Sequence, residues 1–110
     1  MKVHLIKLNT VENYIVNHAA GRASFNEWLT KIKAANWEKP GDIIRSFGSA
    51  DLLGNGCERV IFNIGGNNYR MIAKYVFGVR NVHLYVKWIG THAEYNLICA
   101  RNEQYEIDEN

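Results

Sequence analysis

Little in this sequence suggests disulfides, a membrane span or disorder. Among 110 residues there are two cysteines and one proline. Cys57 and Cys99 stand far apart with no C-x-x-C arrangement, and His4, His18, His83 and His92 form no ligand spacing with them. A structural zinc site needs four ligands, normally in closely spaced pairs. The expectation is two free thiols, no metal and no other cofactor. No apolar run approaches the roughly 18 residues that cross a bilayer. The opening MKVHLIKLNT places Lys and His where a secretory leader needs an unbroken apolar stretch. A cytoplasmic protein without a membrane partner is therefore expected. Because 47% of the residues are hydrophobic, residues 1–110 should form a single domain around a packed core.

Basic residues are missing from the end of the chain. The segment NEQYEIDEN, residues 102–110, carries four acidic side chains. All 13 basic but only 7 of the 11 acidic residues thus fall in 1–101, a body of net charge +6. Such a body suits a polyanionic partner. The acidic tail either folds back on it or extends into solvent.

KVHLIK alternates as a short first strand. In NTVE, Asn9 or Thr10 can cap a helix whose positive end suits Glu12, running through NYIVNHAA to Gly21. SFNE has the capping-box form, Ser24 with Glu27, ahead of the stripe Phe25, Trp28, Leu29 and Ile32. Pro40 ends that pattern, and a short helical or irregular DIIRSF leads to the loop GSADLLGNG. From Cys57 the period changes to two: CERVIFNI, NNYRMIAKYVF and VHLYVKWI read as three strands, joined at Gly65–Gly66–Asn67 and at GVRN. THAE is a second capping box, Thr91 with Glu94, opening a short helix. The predicted fold is α+β: an N-terminal strand and two helices packed on an antiparallel sheet, then a short C-terminal helix, with the helices on one side.

Strand parity divides the sheet into two faces. One gathers Val60, Phe62, Ile64, Tyr69, Met71, Ala73, Tyr75 and Phe77 and, by hydrophobicity, Val82, Leu84, Val86 and Trp88. The other gathers Arg59, Ile61, Asn63, Arg70, Ile72 and Lys74 with His83, Tyr85, Lys87 and Ile89. The GVRN turn leaves the register of the third strand open. Four cations and no carboxylate lie on this second face, beside Tyr85, Ile61 and Ile72, where a base could rest. The plainer reading is the solvated side of an antiparallel sheet. In GTHAEYN, His92 opens a helix and Tyr95 follows on the same side, a pair suited to proton transfer or simply to capping and packing.

VIFNIGGNNYRMIA followed by VKWIGTHAEYN closely resembles the HigB-type toxins of bacterial type II toxin–antitoxin systems, in the RelE/ParE-like superfamily. The likeness extends from about EWLTKIKAANW, with Trp28 and Trp37, to about Ala100, leaving the tail outside. It implies a RelE/ParE-like fold and a metal-independent mRNA endoribonuclease, an mRNA interferase acting in the ribosomal A site. The implied partners are mRNA, the ribosome and a HigA-like helix-turn-helix antitoxin. For such cleavage Arg70 is the first choice to hold the phosphate, Lys87 to add charge or move a proton, and His92 and Tyr95 to serve as acid, base or orienting group. Arg59, Asn63, Asn67, Lys74 and Tyr85 are the expected RNA contacts. One position departs from the family pattern: Asn96 stands where Asp is usual. The alternatives are a ParE-like toxin that blocks DNA gyrase without hydrolysis, and an inactive member that only binds antitoxin and RNA.

Overall fold

A computed structural model describes residues 1–109, beginning with strand β1 (Lys2–Ile6). Lys7 then adopts a left-handed conformation (φ 68°) and turns the chain directly into helix α1 (Leu8–Asn17). The helix therefore starts before the expected caps, and Asn9 and Thr10 lie inside it. A 3₁₀ turn, Ala19–Gly21, runs straight into α2 (Arg22–Ala34). The amides of Gly21 and Arg22 bond to His18 and Ala19 carbonyls, so the turn serves the new helix and Ser24–Glu27 does not form the predicted box. The stripe itself holds: Phe25, Trp28 and Ile32 are buried and Leu29 packs beside them. In α3 (Gly41–Ser46), the Asp42 carboxylate accepts from the Glu38 and Lys39 amides at 2.8 and 3.2 Å.

The segment read as a loop contains a short strand, β2 (Asp51–Leu52). Three longer strands follow, β3 (Arg59–Ile64), β4 (Tyr69–Phe77) and β5 (Asn81–Thr91), and then helix α4 (His92–Ala100). The sheet order is β1-β5-β4-β3-β2, with β1 parallel to β5 and the other pairs antiparallel. Among the described residues no helix is long and apolar enough to cross a membrane. The predicted box at α4 is present: Glu94 N–H donates to Thr91 Oγ1 and Thr91 N–H to Glu94 Oε1.

The β3–β4 hairpin has the anticipated parity, with Phe62 opposite Met71 and Ile64 opposite Tyr69. Gly65 and Gly66 both have φ of +65°, a conformation that side chains with a Cβ rarely adopt. The β4–β5 pairing corrects the predicted faces. Ile72 pairs with Trp88 but Ala73 pairs with Val86, leaving Lys87 as the extra residue of a bulge. Beyond it the parity of β5 reverses, so Trp88 joins the outer face while Ile89 packs with the main core. Alternation of hydrophobicity cannot reveal an inserted residue.

Two apolar clusters result. The larger lies between the sheet and α1–α3 and includes Phe25, Trp37, Phe62, Met71 and Leu84. The second lies on the opposite face, where Ile61, Ile72, Trp88 and Ile98 pack with Leu53, Tyr95 and Ile107. The helices are thus not all on one side: α4 and the tail cover part of the outer face. Fully burying one side chain such as Ile72 contributes about 1.5–3 kcal/mol, which favours this covering.

Candidate functional site

Arg70 sits in a row across the sheet, between Asn63 on β3 and Gly90 on β5. Two residues after Gly90 the chain enters α4 at His92. The His92 amide donates to the Asn68 carbonyl at 3.1 Å and ties the helix start to the hairpin tip. This link brings Arg70, Asn67, His92 and Tyr95 to one corner of the sheet. Arg70 is only 7% exposed. Its guanidinium donates to the Tyr69 carbonyl at 3.1 Å, the Asn67 Oδ1 at 3.3 Å and the Gly66 carbonyl at 3.5 Å. Three acceptors for five N–H donors hold the group in place and leave capacity for a phosphate oxygen.

Tyr95 lies half-buried against the ring of Trp88, 6.2 Å between centroids. Burial raises its phenol above the ordinary value of 10, and a hydrogen-bonding contact with the Cys99 side chain and the Asp51 carboxylate push the same way; Arg70 opposes them. A phenol so placed stays protonated near neutral pH and acts as a donor, not as a base. His92 and Asn96 are exposed. Asp51 was not singled out in the sequence, and Cys99 was expected only as a free thiol, which it is. Cys99 follows Tyr95 by four residues on a helix, a spacing that signals contact; Asp51 lay in an apparent loop and gave no such signal.

Lys87, Lys74, Tyr85 and Arg59 form a second group, three to five residues along the strands from the Arg70 row and therefore about 10–17 Å from the corner. Here the acidic tail folds back. Arg59, 6% exposed, donates to the carbonyls of Gln104 at 3.2 Å and Ile107 at 2.7 Å. The Lys87 ammonium bonds Asp108 at 3.1 Å and lies 5.7 Å over the Tyr85 ring, while the Glu109 amide donates to the Lys87 carbonyl at 2.8 Å. The hydrogen bond from Lys87 holds the Asp108 carboxyl below its ordinary value. Ile61 and Ile72, expected as a resting surface for a base, are 2% and 0% exposed beneath α4 and Ile107. The Asn63 amide donates to the Ser49 carbonyl at 3.1 Å, and Asn63 borders a cavity of about 300 Å³ that Ser24, Glu27, Trp28 and Lys31 also line.

Residues 21–98 match the sequence model of HigB_toxin, the RelE-like toxic component of a toxin-antitoxin system. The match runs from Gly21, at the head of α2, to Ile98, the buried residue of α4. The chain belongs to the HigB toxin family. As a RelE-like toxin it has a cognate antitoxin as partner. No curated protein matches the chain. The matched span of this HigB toxin contains the whole corner as well as Lys74, Tyr85 and Lys87, and excludes the tail. Among the described residues, no group of three or more His, Cys, Asp and Glu side chains is placed to hold a metal ion.

Proposed function

We propose that this HigB-family toxin is an mRNA endoribonuclease that cleaves messages on translating ribosomes, in the cytoplasm, without a metal ion. The observation that carries the reading is the corner itself: a held guanidinium, an exposed imidazole and a protonated phenol at the junction of the hairpin and α4. In the reaction the ribose 2′-oxygen forms a bond to the adjacent phosphorus and the bond from phosphorus to the 5′-oxygen breaks. His92 takes the 2′-hydroxyl proton and Tyr95 donates to the departing 5′-oxygen; solvent then takes the proton from the imidazolium and returns one to the phenolate. Arg70 stabilises the charge that develops on the phosphorane oxygens. The products are a 2′,3′-cyclic phosphate and a 5′-hydroxyl. Once Asp108 is released, Lys87 adds positive potential, and Asn67, Asn63, Lys74 and Tyr85 contact the strand. Arg59 reaches RNA only after residues 103–109 move away. Asn96 supplies no carboxylate, which leaves proton abstraction to His92. A HigA-like helix-turn-helix antitoxin would hold the activity in check.

The test is expression of the chain and of its Arg70→Ala and His92→Gln variants, with growth and mRNA integrity followed together. The parent should arrest growth and cut mRNA; each variant should lose about 10²-fold or more in cleavage rate on programmed ribosomes. Full toxicity in both variants refutes the assignment of the site. Growth arrest with intact mRNA and a DNA-damage response refutes the nuclease and favours gyrase inhibition.

A further inference from the structure

Beyond the tail, the outer face of the sheet is open among the described residues, with Lys2, His4 and Val76 exposed and Lys74, His83 and Tyr85 partly exposed. Three rows of side chains cross it. The first is Lys74, Tyr85 and Ile6; the second is Val76, His83 and His4; the third is Asn81 and Lys2. The parallel pairing of β1 with β5 sets His4 beside His83, with ring centroids 5.9 Å apart and planes within 20°. The His83 ring lies 6.4 Å from Tyr85, whose face carries the Lys87 ammonium. Three rings therefore stand in a connected line from the edge strand to Lys87. No residue in these rows is acidic, and Val76, an apolar side chain in a central strand, is 38% exposed.

An ordinary solvated sheet face carries charges of both signs and few adjacent rings. This one combines rings with lysines at both ends. Unpaired bases stack on rings with little regard to sequence while phosphates meet flanking cations. Duplex RNA offers no free base faces to such a surface. We infer that His4, His83 and Tyr85, with Lys2 and Lys74, form a platform for single-stranded RNA that holds the strand running away from the corner at Arg70. The inference rests on the ribonuclease reading for its biological setting but not for its measurement. The platform lengthens the bound RNA by the rows between Lys87 and Lys2, and its two terminal rings come from strands far apart in sequence.

The experiment uses the full chain and fluorescein-labelled RNA made uncleavable by 2′-O-methylation, in lengths of about 4, 8 and 12 nucleotides. Fluorescence anisotropy should show affinity rising with length. The His4→Ala/His83→Ala double variant should lose most of that rise, about tenfold for the longest strand, and His83→Phe should restore part of it because it keeps a stacking ring. Lys74→Ala should flatten the salt dependence by roughly one phosphate contact. Thermal melts identify any variant that has not folded, and His83→Phe serves as the folded comparison. Equal length dependence in parent and double variant overturns the platform, as does equal affinity for a blunt RNA duplex or no RNA binding at all. Platform-dependent binding by a chain that cuts no mRNA refutes the ribonuclease reading and leaves the platform standing.

Discussion

Replacing Gly90 by alanine should destabilise the protein through one identifiable collision. Gly90 lies opposite Arg70, and a Cβ there would fall 2.3 Å from Cζ2 and 2.4 Å from Cη2 of Trp88, and 3.1 Å from Glu94 Oε1. The indole cannot swing aside, because Trp88 is 6% exposed and packed with Ile61, Ile72 and Ile98. Forcing an extra carbon into a filled core costs about 1–3 kcal/mol. Displacing Glu94 weakens the cap on Thr91 by about 1 kcal/mol more. The expected total, about 2–4 kcal/mol, is a large part of the roughly 5–15 kcal/mol that holds a domain folded. Urea unfolding followed by tryptophan fluorescence measures it. Repeating the substitution in a Trp88→Phe background separates the collision from any general intolerance of alanine. The smaller ring withdraws the colliding atoms, so Gly90→Ala should cost at least about 1 kcal/mol less there. Parental stability for Gly90→Ala, or the same cost in both backgrounds, refutes the reasoning.

The tail gives two further expectations. Arg59→Met keeps the length of the side chain but leaves the Gln104 and Ile107 carbonyls without their donor. Amide exchange over 103–109 should quicken, and unchanged protection there would show that Arg59 does not hold the tail. Asp108 has its pKa lowered in the folded chain, so its contribution to docking is present above its ordinary value of 3.8 and is lost as pH falls through the lower folded value. The tail should stay docked at neutral pH and loosen in acid, followed by NMR of residues 103–109; an Asp108→Asn variant with the same acid transition would remove Asp108 as its cause. Tyr95→Phe should slow RNA cleavage by tenfold or more, and the parent should show no alkaline loss of activity from this phenol below pH 10. An inflection well below that pH which disappears in Tyr95→Phe would contradict a raised phenol pKa. Thr91→Ala removes half of the capping box and should cost about 1 kcal/mol in thermal or urea unfolding.

Local chemistry in the sequence was enough for much of the fold. Paired glycines at 65 and 66 require a turn, and with a fixed turn the period of two sends Phe62 inward and Arg70 outward. Thr91 and Glu94 announce the start of α4 because both halves of the box lie within one turn of helix. The stripe from Phe25 to Ile32 identifies the buried side of α2. Each of these depends on residues close in the chain, where spacing and geometry are nearly the same thing.

Other features needed contacts between distant segments. The extra residue at Lys87 reverses the faces of Trp88 and Ile89, and it is defined only by the register against β4. Asn9, Thr10 and Ser24 have capping chemistry, yet the backbone arrives already turned and uses none of them as a cap. Charge alone left the tail free to dock or to extend. Docking follows from surfaces assembled by the fold: an apolar seat for Ile107, a buried guanidinium for two carbonyls and Lys87 for Asp108. The sequence by itself determined where the basic and aromatic side chains stand along the strands and where the hairpin and α4 begin. Only the tertiary structure decided that Arg70, His92 and Tyr95 share a corner while Lys87 and Arg59 serve the tail, because strand register and the long-range return of residues 103–109 set those distances.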